Sequence, residues 1–484
     1  MRCEKGSFVN KCLHSANTFE SSAFAAHLRG FFMGRVYPAV FALLVLAGHL
    51  TGAELYINVI LMGSVSLSLL VCYSARPLIV PFLTFVFQVS RQNAPGVPSF
   101  SDYYFEGYRL AIFAVSMAIV IPALVYFLLR RRCFSGVSFK RIPQLLPLLV
   151  FSTALCFNGA FSGRWVASDL IWGLLQGVTY TGVFLLFYLG LRGEDTRALT
   201  SYFVYSSAIV AAVLLLEIGG LYLFSDDLFA GGELIKGNIL FGWGIWNSAG
   251  SALAVLIPVL FIGAARSKYS LLYFAVATLT LGGIALTMSR GSLLFGGIAY
   301  VLSLVAVAFV GEHRLAYRII LGVVVTAGLV GAILLRHKIP ELASGFFADN
   351  GRFELWRIGL ENFASSPIFG VGFYGFEYPD DPTYFKAAGF LPSLAHQTFV
   401  TLLSGGGIVG LLGYLGYRVS TVIPFFKRPS FEKTMLGASM LVLVGMSLID
   451  NFVFYFWQTF HYSIALAIVS LMRDGDKENC HSIK

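Results

Sequence analysis

The chain has 484 residues, 57 % of them hydrophobic and 12 % charged, with a formal net charge of +9 and a mean hydropathy of +0.77. A soluble domain carries roughly 25 % charged residues, so this much apolar surface cannot all be hidden in a globular core and the bilayer must act as solvent. The apolar runs have helical periods or are apolar all round, which excludes the two-residue alternation of an outer-membrane barrel.

A membrane-crossing helix needs about 20 largely apolar residues. In chain order, candidate segments fall at roughly 36–50, 55–73, 77–90, 109–129, 142–158, 169–191, 200–223, 243–265, 270–289, 291–310, 318–336, 396–417, 434–450 and 452–472. The expected fold is an all-α polytopic membrane protein of about twelve to fourteen spans with one large extracytoplasmic loop. Segments 270–289 and 291–310 nearly touch, which predicts a tight reversal or a broken helix. The expected organisation is a cytoplasmic tail (1–35), a transmembrane bundle (36–336), a large outer loop with an interfacial helix (337–395), C-terminal spans (396–472) and a second cytoplasmic tail (473–484). Residues 1–34 lack the apolar core of a cleavable signal. The cysteines, Cys3, Cys12, Cys72, Cys133, Cys156 and Cys480, offer neither a disulfide framework nor metal-ligand spacing.

Positive charge sets the orientation. With the N-terminus inside, inner segments hold 24 of the 34 Lys+Arg, including Arg130, Arg131, Arg132, Lys140, Arg141, Arg192, Arg197, Arg314, Arg318, Lys427 and Arg428. The basic residues are scattered over many short inner loops, which argues against a nucleic-acid partner. The remaining cations face outward: Arg91, Arg109, Arg164, Lys236, Arg290, Arg336, Lys338, Arg352, Arg357 and Lys386. Loop solubility and headgroup anchoring are their ordinary uses. Arg290, in Ser289-Arg290-Gly291-Ser292, has almost no loop to solvate it, and a charge at membrane depth is usually paired or functional. The planar donor fork of arginine suits a lipid-linked phosphate or pyrophosphate.

Within the outer loop, Phe353, Trp356, Leu360 and Phe363 recur at helical spacing. Asp349 or Asn350 is the expected cap and Ser366-Pro367 the stop. Arg352 then sits in the first turn, where the helix dipole disfavours a cation. An arginine beside helix-terminal N–H groups makes an anion seat; a snorkelling arginine on an interfacial helix is the alternative. Gly370-Val371-Gly372-Phe373-Tyr374-Gly375 spells G-x-G-x-x-G, but no strand–helix unit surrounds it, so its glycines are expected to serve tight turns or close backbone approach. Asp226-Asp227 and Asp380-Asp381 could bind metal; turn chemistry beside Pro379 and Pro382 is the alternative for the second pair. His396 opens the twelfth span. Capping by Ser393 would put it in the first helical turn, where the dipole favours the neutral, basic form and a nearby anionic substrate opposes it. Glu217 and Asp450, near outer helix ends, are expected to orient arginines, bind sugar hydroxyls or form ion pairs within the bundle.

Together, Asn247 with the apolar run after it, Ser289-Arg290-Gly291, Arg352 with Trp356, Ser366-Pro367-x-x-Gly370-x-Gly372, and His396 ahead of Gly405-Gly406-Gly407 resemble the bacterial O-antigen ligase/polymerase family. The resemblance is most specific from Arg290 to Gly410. It departs in His396-Gln397, where His-Asn is common, and in having more spans than the ligases usually have. It implies an inner-membrane glycosyltransferase of the C-type class. Such enzymes move a glycan from an undecaprenyl-pyrophosphate donor to a saccharide or lipid A-core acceptor on the periplasmic or outer face. By it, Arg290 and Arg352 hold the pyrophosphate and His396 serves the acceptor. Arg357, Arg164, Arg109, Trp356, Glu217 and Asp450 are the expected further substrate contacts. A positioned base and cations for the leaving group suffice for direct, inverting displacement, so neither metal nor cofactor is expected. The rival is a transporter or polysaccharide flippase using Glu217 and Asp450 as coupling groups, against which no inverted repeat of interrupted helices is seen.

The one-sided charge predicts that loop 336–396 faces outward and the tail after Met472 inward. In intact spheroplasts, an impermeant thiol reagent should label a cysteine placed at Ser344 and spare one at Ser482. The opposite pattern would overturn this topology.

Overall fold

The computed structural model describes residues 22–51, 53–84, 107–131, 139, 142, 144–224, 228–230, 233–234, 240–241, 244–334, 336, 351–376, 395–426 and 429–478. Several of the sequence expectations fall outside them: Arg91, Arg132, Lys140, Arg141, Lys236, Lys338, Lys386, Lys427 and Arg428, both aspartate pairs, Asp349, Asn350, Ser393, and Cys3, Cys12, Cys133 and Cys480.

The fold is all-α. The helices are α1 (Ala23–Met33), α2 (Val36–Thr51), α3 (Glu54–Val71), the short α4 (Ile79–Leu83), α5 (Gly107–Arg130), α6 (Leu145–Cys156), α7 (Ala167–Gly177), α8 (Val183–Leu191), α9 (Thr196–Phe224), α10 (Trp246–Arg266), α11 (Ser270–Leu286), α12 (Arg290–Val310), α13 (Arg314–Leu334), α14 (Arg352–Ser365), α15 (Thr398–Phe426), α16 (Phe431–Met446) and α17 (Phe456–Glu478). A wide π turn over Val178–Gly182 joins α7 to α8, so Ala167–Leu191 runs as one span. Between α9 and α10 lie two antiparallel pairs of two-residue strands, Phe229–Ala230 with Glu233–Leu234 and Leu240–Phe241 with Gly244–Ile245.

Among the described residues, six helices are long and apolar enough to cross a membrane, or seven if the bent pair α1–α2 counts as one span. The chain is a multi-pass membrane protein. Residues 23–33, expected in the N-terminal tail, instead form α1, which meets α2 at 68°. Phe32 is buried there, and the Arg29 guanidinium donates to the Val71 carbonyl at the end of α3. That contact ties the segment to the bundle by satisfying a carbonyl left over at a helix terminus. Segments 270–289 and 291–310 form the expected tight reversal: Thr278 and Tyr300 share a hydrogen bond (2.8 Å) across the α11–α12 hairpin.

α10 is the axis of the bundle. It is apolar on every side, as a fully enclosed helix must be, and nearly all of its residues are buried. It packs against α9, α11, α12 and α16. All four therefore pack on one enclosed helix.

The second organising feature is a break in α15. Gly407 has φ 62° and ψ −162°, a conformation closed to side-chain-bearing residues at low cost. The backbone freed there does not face lipid, where unpaired groups are prohibitive. It pairs with residues 367–372: Val371 N–H donates to the Ser404 carbonyl (2.7 Å), Gly372 N–H to Gly405 (3.1 Å), Ile408 N–H to Pro367 (2.9 Å) and Val409 N–H to Ile368 (3.2 Å). The glycines of the G-x-G-x-x-G run thus serve close backbone approach, as their spacing suggested. Gly370 and Gly372 have φ 69° and 92°, and a side chain on Gly372 would strike the Asp169 carboxylate. Asp169 is buried and accepts from Tyr374 N–H (2.9 Å) and Val166 N–H (3.1 Å), while buried Asn158 accepts from Phe373 N–H (3.2 Å) and donates to the Asp169 carbonyl (2.8 Å). The loop beyond α14 is thereby fixed to α6, α7 and the α15 break.

Gly407→Ala should be costly. A conformation of this kind alone costs on the order of 1–3 kcal/mol outside glycine, and the added methyl would overlap the Ile368 carbonyl oxygen. The apparent melting temperature in detergent should fall clearly. Gly416→Ala, at a position with open space around it, should change stability by no more than about 0.5 kcal/mol. Equal melting temperatures for the two variants would show that the break is not under this constraint.

Candidate active site

The site is built on the short turn that follows α16. Asp450 lies in it with 2 % of its surface exposed. Its Oδ1 accepts from the Asn451 N–H (2.7 Å) and lies 3.4 Å from His396 Nδ1. Its Oδ2 accepts from the Asn247 amide (3.0 Å). Its carbonyl accepts from the Thr398 hydroxyl (3.0 Å), and one residue earlier the Ile449 carbonyl accepts from the Arg352 guanidinium (2.9 Å). The Ile449 side chain lies against Gly291, so close that a Cβ there would overlap it.

Four of these contacts bring a helix start to the same turn. Asn247 is in the first turn of α10, Gly291 in that of α12, Arg352 opens α14 and Thr398 opens α15. Helix N-termini carry unpaired N–H groups and partial positive charge. Their meeting, with Arg352 and the neighbouring half-buried Arg290, makes a strongly electropositive corner with one buried carboxylate at its floor. Two non-glycine residues at its edge, Met288 (φ 53°) and His396 (φ 49°), have left-handed backbone. Such strain persists where surrounding structure enforces it, and it clusters at functional sites.

The structure corrects two expectations about His396. The residue precedes α15 rather than lying in its first turn, because Gln397 takes the capping position: its side-chain oxygen accepts from Val400 N–H (2.5 Å). The imidazole pKa is also raised, not lowered. The hydrogen bond to Asp450 is the main cause; burial and the charge of Arg352 oppose it without prevailing. Burial pushes the Asp450 carboxyl upward, but His396, the Asn451 N–H and Arg352 together hold it below its ordinary value. About half of the His396 side chain remains exposed, so the ring is held on one side and accessible on the other.

α14 begins at Arg352, with left-handed Gly351 ahead of it and no side-chain cap, and ends at Ser366 as expected. Glu354 in its first turn offsets the dipole. Arg357 is paired on the exposed face of α14 with Glu354 (3.0 and 2.5 Å) and Glu361 (2.5 Å), and the hydrogen bond from Arg357 lowers the Glu354 pKa. Its donor fork is thus engaged within its own helix. Trp356 meets Phe353 edge-on (5.1 Å, 87°) and packs toward the small cluster of Ile358, Phe376, Ala395 and Val400. Arg164 donates to Asn362 (2.7 Å) at the far end of α14, where it joins the junction around Asp169. Arg109 begins α5, which packs on α3, and lies over Tyr108 (5.8 Å). Glu217 is buried on α9, the neighbour of α10. The structure therefore gathers His396, Asp450, Arg352 and the Arg290 turn, and places Arg109, Arg164 and Arg357 in other contacts.

Sequence reasoning gave Asn247 no role of its own and did not select Thr398, Thr401 or Asn451. Thr401 accepts from Ala395 N–H (3.1 Å) and donates to the Asn451 side chain (2.7 Å), which ties the His396 segment to the Asp450 turn. Polar side chains at the first turns of apolar spans were the available signal, since such groups need partners in lipid.

Residues 253–415 match the family model of O-antigen ligases. Over this stretch the chain is similar to O-antigen ligases. The matched stretch runs from α10 into α15 and carries Arg290, Arg352 and His396; Asp450 lies beyond it. No curated protein matches the chain. The match supports an O-antigen ligase/polymerase-type function in polysaccharide biosynthesis.

The Asp450–His396 pair predicts a pH dependence. A histidine whose folded pKa is raised contributes stability that is full below its unfolded value, about 6.5, and is lost as pH rises through the folded value. Asp450→Asn should shift the imidazole titration, read by NMR of labelled histidine, to lower pH. It should also flatten the fall in melting temperature above that pH. A titration that does not move would separate Asp450 from His396.

Proposed function

We propose that the enzyme transfers a glycan from an undecaprenyl-pyrophosphate donor to a saccharide acceptor, either a growing repeat-unit chain or lipid A-core, at the corner formed by His396, Asp450, Arg352 and Arg290. The observation that carries this reading is the convergence of four helix N-termini and an arginine on one turn, with a half-exposed histidine beside them. That arrangement suits a pyrophosphate leaving group, whose negative charge grows as the glycosidic bond breaks. Arg290 and Arg352 hold the diphosphate oxygens. His396 takes the proton of the acceptor hydroxyl, and Asp450, fixed by Asn247 and the Asn451 N–H, stabilises the resulting imidazolium. The acceptor oxygen bonds to the anomeric carbon as the bond to the pyrophosphate oxygen breaks, and lipid pyrophosphate leaves. A single displacement of this kind inverts the anomeric centre. The positive groups needed are supplied by arginine and helix ends, so the reaction proceeds without metal. The one-sided basic residues support a site on the outer face of the cytoplasmic membrane.

The test is transfer from a synthetic lipid-pyrophosphate glycan by the purified full chain in detergent, with no ion gradient. Turnover under these conditions separates an enzyme from a transporter or flippase. His396→Ala should lower turnover about 10²–10⁴-fold. Arg290→Lys and Arg352→Lys should each lose on the order of ten- to hundredfold, because an ammonium cannot replace a bidentate fork and one charge-assisted hydrogen bond is worth about 1.5–3 kcal/mol. EDTA should leave the rate unchanged. Full activity of the histidine variant would remove it as base, and abolition by EDTA with rescue by a divalent ion would move the chemistry to a metal.

A further inference from the structure

Beyond the break at Gly407, on the half of α15 remote in sequence from His396, a single arginine is enclosed in the bundle. Arg418 is 9 % exposed. Its guanidinium carbon lies 4.1 Å from the ring centre of Tyr462, 4.8 Å from Tyr414 and 5.2 Å from Tyr417. Tyr180 closes the cage edge-on to Tyr417 (5.8 Å, 78°), and Phe151 stacks on Tyr417 (6.0 Å) and meets Tyr180 edge-on (5.2 Å). All four tyrosines are buried.

Ring faces attract a cation, but they accept little from its N–H groups. Arg418 Nε and Nη1 are buried with no hydrogen-bond partner, and so is the Tyr417 hydroxyl, while the Tyr414 hydroxyl is within reach of Arg418 and Ser447. No carboxylate pairs with Arg418 among the described residues. The Tyr462 hydroxyl is engaged with Thr421 (2.7 Å) and does not share this deficit. An arginine remains charged even when buried, and an uncompensated charge inside a membrane bundle is strongly disfavoured. Each of these three unpartnered atoms can donate. What the cage lacks is an acceptor with negative charge.

We propose that Arg418, Tyr414 and Tyr417 form an internal binding site for one small monovalent anion of the halide class. Charge balance selects the valence: one guanidinium neutralises one negative charge, whereas a phosphate dianion would leave an excess in a low-dielectric interior. Donor geometry selects the size, because guanidinium and phenol donors enclosed by aromatic rings suit a compact spherical acceptor. The bound anion would fasten the second half of α15 to α17 through Tyr462 and to the π turn through Tyr180. It rests on contacts separate from the His396 corner, so the reading of the reaction and that of the anion site stand or fall independently.

The experiment is thermal unfolding of the purified full chain in detergent at fixed ionic strength and pH, with sodium gluconate replaced stepwise by sodium chloride or bromide. A ligand that binds only the folded state raises the melting temperature with a saturable dependence on its concentration. Wild type should show that rise with both halides. Arg418→Gln should lose it. Tyr417→Phe keeps the ring and the cation but removes one donor, so its half-saturating concentration should rise about tenfold, the effect of one charge-assisted hydrogen bond. Anomalous scattering from bromide-soaked crystals should place the ion beside Arg418. Identical melting in gluconate and halide would overturn the site, as would an undiminished halide response in Arg418→Gln. If that variant does not fold, an unshifted Tyr417→Phe response overturns it equally.

Discussion

The carboxylate of Asp450 is the constraint on which the active corner depends. It is buried at the end of α16 and needs partners, since an isolated charge in such a place is prohibitive. The partners come from elements far apart in sequence: the Asn247 amide from α10, the adjacent Asn451 N–H and the His396 imidazole ahead of α15. Satisfying one buried charge therefore fixes where three segments meet. The carbonyls around it do the same for Arg352 and Thr398. The electropositive surroundings in turn keep Asp450 ionised, and the ionised Asp450 makes His396 a stronger base than an ordinary imidazole. Basicity gained this way has a consequence: more of the histidine is protonated at neutral pH, so the fraction ready to accept a proton rises with pH.

A second device keeps the corner rigid from the other side. The loop after α14 is not a free connector. Its backbone is paired with the broken segment of α15, and Asn158 and Asp169 clamp its glycines from α6 and α7. Since α14 carries Arg352 at its start, anchoring its C-terminal end through residues 366–376 limits how far that arginine can move. Positioning at this level matters for catalysis, where an error of about 1 Å is costly. The glycines of the G-x-G-x-x-G run thus contribute through backbone geometry.

The all-α membrane fold was legible because composition leaves no other solvent for so much apolar surface, and most of the helices fell where hydropathy placed them, although among the described residues only six or seven are long and apolar enough to cross a membrane. Arg290, Arg352 and His396 were selected for breaking local rules: a charge without a loop, a cation at a helix start and a histidine at a membrane edge. The structure brings that histidine and Arg352 to the same turn and sets Gly291, next to Arg290, against it. Arg357 illustrates the reverse. Its spacing to Glu354 and Glu361 already permitted helical ion pairs, which is how the structure uses it.

What the sequence determined by itself were properties fixed by local chemistry: hydrophobic length, charge asymmetry, helix stops such as Ser366-Pro367 and the need of certain glycines for close backbone approach. The tertiary structure alone decided the pairing of Asp450 with His396, the displacement of His396 from the helix by the Gln397 cap, and the separation of Arg109 and Arg164 from the corner. These depend on contacts between residues up to about two hundred positions apart, such as Asn247 with Asp450. A buried charge needs a partner, and the sequence shows the need; which distant residue meets it is settled only when the helices pack.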